Sequence, residues 1–315
     1  MMMLKDRIVT LVGGGGFLGR YTAQALLAAG ARVRIAQRDP RSAFFLRTQG
    51  GVGQTQFVAA DLTRPDTLAR ALHGADAAVN LTGTFALRQM QALHVDGPAA
   101  LARAADGRPL VHISAIGADA RSDAVYGRSK GLGEAAVRSV APGATILRPS
   151  TVFGREDQFV NRFAALIAKA PLVPVLRADT RFQPVFVADV ADAVVAALAK
   201  SLGDPLAHGG QTYELGGPDT LTMAELYAWI ARTIGRTPRF VDLPDLAGDL
   251  LSRADFLPGA PITRDQWKML QRDTVVTGTD GLAALGVAAT PLAAVAPAWL
   301  VRYRRQGRFG AEATV

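Results

Sequence analysis

The amino-acid sequence predicts an α/β fold: a doubly wound parallel sheet with a smaller, discontinuous C-terminal domain. Three observations predict it. Short β-rich runs alternate with helical stretches through the first half, the rhythm of parallel strands joined by crossover helices. The central runs Ala77–Leu81 and Leu110–Ser114 are largely apolar on both faces, as they must be where helices cover both sides of a sheet. A cluster of glycines follows the first run and opens the first helix.

In chain order, Ile8–Val12 reads as the first strand, Leu18–Ala29 as the helix after it and Val33–Ala36 as the second strand. Further strands fall at Gln56–Ala59, Ala77–Leu81, Leu110–Ser114 and Thr145–Leu147. After Pro149 the texture changes. Phe159–Ala170 reads as a helix, Pro171-Leu172-Val173-Pro174 as a breaker, and Phe186–Ala199 as a strand running into a helix. Leu221–Gly235 is another helical pattern, followed by short helices broken by Gly and Pro. The chain is therefore expected to leave the sheet and return. Residues 1–150 with about 180–203 would form the sheet domain, and 151–179 with 204–315 the smaller substrate or partner domain.

Composition narrows the chemistry. With 315 residues and 49% hydrophobic content, the chain can bury a substantial core without a disulfide or metal staple. The absence of cysteine excludes thiolate catalysis, Cys-ligated zinc, iron–sulfur clusters and disulfides. His73, His94, His112 and His208 are scattered without ligand spacing, so no metal site is expected. The first residues show no signal-peptide pattern, and no apolar stretch reaches the ~20 residues that span a bilayer, so a soluble, cytoplasmic chain is expected. A formal charge of +8 suits an acidic partner, yet most of it is dispersed. Arg302, Arg304, Arg305 and Arg308 form a late cluster, read as a solvated tail or as a membrane or partner contact. Without aromatic platforms or a recognition motif, nucleic acid is not expected as a partner.

Between the first strand and first helix lies Val12-Gly13-Gly14-Gly15-Gly16-Phe17-Leu18-Gly19. Glycines there allow a tight turn, close approach of the backbone to a pyrophosphate and close helix–strand packing, while the helix N-terminus offers amides and a positive dipole end. Both Gly14-x-Gly16-x-x-Gly19 and Gly13-x-x-Gly16-x-x-Gly19 fit. In this strand–turn–helix context the pattern predicts a Rossmann-type dinucleotide site. The second strand ends in Gln37-Arg38-Asp39, where an acid would hold the ribose diol of NAD(H) and an arginine the 2′-phosphate of NADP(H). Gln37 followed by Arg38 favours NADP(H), and Asp39 leaves NAD(H) open. Asp61-Leu62 and Asn80-Leu81-Thr82-Gly83 follow later strands at the carboxyl ends, where open α/β sheets bind ligands. Asp61 reads equally as an adenine contact and as a helix cap.

Tyr126-Gly127-Arg128-Ser129-Lys130 places a phenol and an ammonium at i and i+4, on one face of a helix. Such a pair can carry proton transfer, with Lys130 and a positive nicotinamide expected to lower the Tyr126 pKa and Lys130 also placed to hold the nicotinamide ribose. Ser114, at a strand end, is a candidate to polarise a substrate oxygen jointly with Tyr126, or else a turn residue. Arg148-Pro149-Ser150, after the strand Thr145–Leu147, is placed to close over the nicotinamide, or to end the strand.

Taken in order, Gly13, Gly16, Gly19, Asp61, Asn80, Ser114, Tyr126 and Lys130 resemble the short-chain dehydrogenase/reductase superfamily, and Val187-Ala188-Asp189-Val190-Ala191 its extended and atypical, epimerase/dehydratase-like members. More narrowly, residues 144–163, with Phe153-Gly154-Arg155-Glu156-Asp157-Gln158-Phe159-Val160-Asn161-Arg162 at their centre, resemble the nucleotide-binding accessory subunit family of respiratory complex I. Arg181-Phe182-Gln183-Pro184-Val185 and Thr212-Tyr213-Glu214-Leu215-Gly216-Gly217-Pro218 fit the same group. That resemblance implies an atypical, NADP(H)-holding member in which the nucleotide serves structure more than turnover. Two departures from the catalytic pattern stand out: a short stretch between Ser114 and Tyr126, which argues against a sugar-nucleotide pocket, and His94 where catalytic relatives often carry an asparagine. Two functions follow. One is an NADP(H)-dependent oxidoreductase acting on a small carbonyl or alcohol, with Tyr126, Lys130 and Ser114 as its catalytic residues. The other is a nucleotide-holding accessory or assembly protein of a respiratory or quinone-linked complex, peripheral on the cytoplasmic face of the inner membrane.

Overall fold

A computed structural model describes residues 4–204, 208–255, 262–305 and 307. The chain forms two compact units: Met1–Pro149, Val187–Leu215 and Thr277–Ala288 make the first, and Ser150–Phe186, Gly216–Val276 and Ala289–Val315 the second. The first unit opens with β1 (Ile8–Val12), α1 (Phe17–Ala28), β2 (Arg32–Gln37), β3 (Thr55–Ala59), α2 (Pro65–Leu72) and β4 (Ala77–Asn80). It continues through α3 (Leu87–Met90), a π-helical segment (Gln91–Asp96), α4 (Gly97–Ala105), β5 (Leu110–Ile113), α5 (Val125–Val140) and β6 (Thr145–Pro149). The second unit then supplies β7 (Val152–Phe153), α6 (Val160–Lys169), β8 (Leu172–Leu176), β9 (Arg181–Phe182) and β10 (Val185–Phe186). The first resumes with α7 (Val187–Gly203) and β11 (Thr212–Leu215), and β12 (Leu221–Thr222), α8 (Met223–Thr233) and β13 (Arg239–Leu243) follow in the second.

Seven parallel strands form the main sheet in the order β11-β6-β5-β4-β1-β2-β3. β4 and β5 are buried along their whole length, because α1 and α7 cover one face and α2, α4 and α5 the other. The second face is filled by Val12, Leu62, Leu68, Leu72, Leu101, Leu110 and Val137 among small alanines. The winding reverses between β1 and β4, and that switch point opens a crevice at the strands' carboxyl ends. No helix of the described residues is long and apolar enough to cross a membrane.

Two expectations shift. Re-entry into the sheet unit begins at Val187, and β11, expected within the smaller domain, is the sheet's edge strand, with Thr212 paired to Ile146 and Leu215 to Pro149. Pro171–Pro174 is not a plain breaker either: Leu172–Leu176 is a strand pairing in parallel with β13. Its alternation buries Val173 and Val175 while Pro174 faces out, and among the described residues the strand has β13 as its one neighbour, an edge setting in which proline is tolerated.

The second unit packs α6 and α8 around Phe153, Val160, Ile167, Phe182, Leu226 and Ile230. The Gly154–Asn161 turn is held by Asp157, whose carboxylate accepts the amides of Gly154 (3.0 Å), Phe159 (2.8 Å) and Asn161 (3.1 Å). Arg302, read from sequence as part of a solvated tail or contact, donates to Asn161 Oδ1 at 2.6 Å, and Arg304 Nε to the Thr233 carbonyl at 3.3 Å. Both side chains are thus anchored within their own unit. Arg305 is exposed, and Arg308 lies outside the described residues.

Candidate functional site

The glycine turn sits at the switch point. Gly13 has φ +86°, open to glycine without strain, and a Cβ there would stand 3.1 Å from Thr82 Cγ2, so β1 and β4 loops touch at this residue. A Cβ on Gly19 would lie 2.4 Å from the Gly14 carbonyl oxygen, which is why the helix can pack this close to the turn. Gly16 caps α1 without any side-chain hydrogen bond, and no acid occupies the first turn. The helix's positive dipole end therefore meets no acidic side chain of its own first turn, which suits it to a pyrophosphate. Phe17 and Leu18 occupy that first turn, Phe17 lying edge-on to Tyr21 with centroids 6.1 Å apart.

Gln37 braces the turn rather than standing free at the strand end. Its Oε1 accepts the Gly15 amide at 2.8 Å, and its Nε2 donates to the Asp39 carbonyl and the Ser42 hydroxyl at 2.7 Å each. The Asp39 carboxylate accepts the Arg41 amide at 3.0 Å, capping the 3₁₀ segment that follows. Arg38 is exposed on the same rim as Asp61. Asp61 closes a turn by accepting the Thr63 amide (2.9 Å) and hydroxyl (2.8 Å); the Thr63 amide foremost, with help from Arg38 and Arg64, holds its carboxyl below the usual range. Leu62 buries its side chain in the core.

Asn80, at the end of β4, is held through both its amide oxygen and its amide nitrogen. Its Oδ1 accepts the Thr82 amide (3.1 Å) and hydroxyl (2.6 Å), and its Nδ2 bonds His112 Nδ1 at 2.9 Å. Nδ1 of His112 is thereby an acceptor, so its proton sits on Nε2, a buried atom with no partner. Burial, with the positive charge of Lys130 nearby, lowers the His112 pKa to about 3, and the ring is neutral.

His94 belongs to the π-helical segment and bridges the loop after β4 to α5. The Thr84 amide donates to Nε2 at 3.0 Å, which places the ring proton on Nδ1; Nδ1 then donates to Ser129 Oγ at 2.8 Å, and Ser129 to the Tyr126 carbonyl at 2.9 Å. Burial first, and Lys130 second, lower the His94 pKa to about 3, so this tautomer holds across physiological pH. Its ring meets Tyr126 edge-on with centroids 5.5 Å apart, while Phe85 stacks on Tyr126 at 4.8 Å with 17° between planes.

Tyr126 and Lys130 share one face of α5, with Lys130 Nζ 5.9 Å from the phenol ring centre. Lys130 donates to the Ile113 carbonyl at 3.2 Å and lies 3.8 Å from where a Gly83 Cβ would stand, so the helix and the end of β4 converge on its ammonium. Burial lowers the Lys130 pKa to about 8 against the opposing pull of Glu134. In the chain by itself burial pushes the Tyr126 pKa up to about 12, so it is a neutral phenol, able to donate a proton; the lowering expected from a positive nicotinamide belongs to the loaded site.

Glu134, one helical turn beyond Lys130, was not singled out in the sequence, although Tyr126, Lys130 and Glu134 repeat at i, i+4 and i+8. It is 5% exposed and accepts Ser114 Oγ at 2.5 Å, Arg148 Nε at 2.8 Å and Arg148 Nη2 at 2.7 Å. Arg148 Nη1 lies 3.8 Å from Glu214 Oε1. The Ser114 proton, expected on a substrate oxygen, is thus held by a buried carboxylate, and the Arg148 fork, expected over the nicotinamide, is engaged by the same group. Pro149 gives its carbonyl to the Ile116 amide at 3.0 Å.

A parallel sheet with a glycine turn at its switch point and a Tyr–Lys pair beside it defines an NAD(P)-binding protein of the Rossmann class. The chain belongs to the NAD dependent epimerase/dehydratase family, whose profile matches residues 9–216. It is 35% identical over 301 residues to the mouse mitochondrial "NADH dehydrogenase [ubiquinone] 1 alpha subcomplex subunit 9", covering 90% of this chain and 77% of that one. It is also 31% identical over 267 residues to a ceramide reductase of Caulobacter vibrioides, covering 81% and 80%. Among solved structures, an Escherichia coli NADPH-dependent quinone oxidoreductase complexed with NADPH superposes with a TM-score of 0.74 over 93% of this chain and 99% of that one; at 20% identity the likeness shows the fold alone.

Proposed function

We propose that the chain is an NADP(H)-dependent reductase of a carbonyl compound, with Tyr126 as proton donor and Lys130 as the cation that positions the nicotinamide ribose. The observation that carries this reading is the convergence of buried Lys130 on the Gly83 loop at the end of β4, beside a protonated Tyr126. NADPH, when bound, supplies the hydride to the carbonyl carbon; the Tyr126 hydroxyl supplies the proton to the oxygen, giving the alcohol and NADP⁺. NADP(H) is favoured over NAD(H) because Asp39 spends its carboxylate on the Arg41 amide, whereas exposed Arg38 is placed to pair with a 2′-phosphate. The ceramide reductase relative supports turnover.

A second reading is favoured by one observation: Ser114 is held by Glu134, which leaves Tyr126 without that partner at a substrate oxygen. In this reading the dinucleotide is a fixed structural element of an accessory protein, in line with the complex I subunits among the relatives. The experiment is to denature the freshly purified protein, identify any released dinucleotide, and follow NADPH oxidation by the intact holoprotein against a carbonyl panel. Oxidation lost in Tyr126→Phe establishes the reductase. Released NADPH that no carbonyl oxidises favours the accessory role, and no NADP(H) bound or released rejects both.

A further inference from the structure

We propose that the loop between β4 and α3 is a landing surface for an apolar substrate, with Phe85 and Leu87 as the residues that select a hydrophobic carbonyl compound over a polar one. This rests on the reductase reading and names the substrate class that the same site would take. Phe85 lies 4.8 Å from Tyr126, ring on ring, and still exposes 64% of its surface; Leu87, two residues on, exposes 52%. Single exposed hydrophobics are ordinary, but Phe85 on this short loop, stacked on the proton donor, with Leu87 opening α3 two residues later, makes an apolar lip at the reacting group.

The loop is also fixed by hydrogen bonds of its own threonines. The Thr82 amide and hydroxyl go to Asn80 Oδ1, the Thr84 amide to His94 Nε2, and the Thr84 hydroxyl accepts the Ala86 amide at 3.0 Å. No charged residue stands between Leu81 and Leu87. A sugar or other polyhydroxylated substrate would meet few donors and acceptors here, and its hydroxyls would lose water without replacement. An apolar group would cover Phe85 and Leu87 on a surface whose conformational entropy is already spent, so little of the binding free energy goes into ordering the loop.

The test uses NADP(H)-loaded protein and three probes: 2-acetylnaphthalene, 2-nonanone and glyceraldehyde. NADPH oxidation is expected with the two apolar ketones at a KM well below that for glyceraldehyde. Phe85→Ser is expected to raise the KM for 2-acetylnaphthalene about tenfold, with kcat changed far less and NADPH affinity retained, and Phe85→Leu to recover most of the loss. An unchanged KM in Phe85→Ser, or a preference for glyceraldehyde, overturns the proposal. If no probe oxidises NADPH, the reductase reading fails separately, and equilibrium binding of 2-acetylnaphthalene to NADP⁺-loaded protein decides the landing surface. Saturable binding lost in Phe85→Ser supports it, and absence of binding to the unaltered protein overturns it.

Discussion

Glu134 is the residue on which several others depend. A carboxylate taken out of water needs both a counter-charge and hydrogen-bond donors, and Arg148 and Ser114 supply them. Arg148→Met should therefore destabilise the fold by ~3–5 kcal/mol in denaturant titration, because it strands a buried charge, while Arg148→Met combined with Glu134→Leu should recover most of that loss. Ser114→Ala removes one donor and should cost ~1–2 kcal/mol of stability but less than about tenfold in kcat; a loss as deep as that of Tyr126→Phe would return Ser114 to the substrate. Lys130 gives a pH signature. Its folded pKa of about 8 lies below the ordinary 10.5, so between these values the unfolded chain holds a proton that the folded chain has released, and stability rises with pH. Tyr126 has the opposite sign, with stability falling from pH 10 upwards toward its folded value of about 12. The clean window is pH 8 to 10, where Lys130→Met should abolish the rise. The Tyr126–Lys130 spacing was legible because helical periodicity is a property of sequence alone. The fate of Ser114 was not, because its partners come from α5 and β6 and meet it only once β5 and β6 are in register.

At the scale of elements, the strand–glycine turn–helix unit was readable in sequence and its register can be tested. Gly19→Ala would drive a Cβ to 2.4 Å from the Gly14 carbonyl, a backbone atom that cannot yield without moving the turn. Gly15→Ala meets Gln37 Oε1 at 2.2 Å, the end of a side chain that can swing away. Gly19→Ala is thus expected to lower both thermal stability and NADP(H) affinity by more than tenfold in binding, and Gly15→Ala to weaken binding with a smaller stability loss, measured by titration and thermal melts. Equal effects would mean that the turn relaxes as a whole. Elements set by tertiary pairing were less legible. β11 has only four residues and borrows its place from β6, and the prolines flanking Leu172 and Val173 hid a strand that exists because β13 pairs with it. The π-helical register that turns His94 toward Thr84 and Ser129 leaves no composition signal at all.

At the scale of the molecule, the first unit is assembled from three separated stretches of chain, and two of its parts arrive late. α7 packs against α1, which buries Ala23, Leu26 and Leu27, and β11 completes the edge beside β6. α7 itself buries Val190, Val194, Val195 and Leu198, and each large aliphatic side chain fully withdrawn from water stabilises by ~1.5–3 kcal/mol, so their joint loss rivals the whole stability of a domain this size. A fragment ending at residue 149 therefore keeps the glycine turn, Tyr126 and Lys130 but lacks the layer that holds the first helix on the sheet. It should show no cooperative thermal transition and no NADP(H) binding by calorimetry, and should bind a hydrophobic dye. A sharp transition with retained binding would show instead that β1 to β6 and their own helices are sufficient, and that α7 and β11 are additions to a sheet already stable without them.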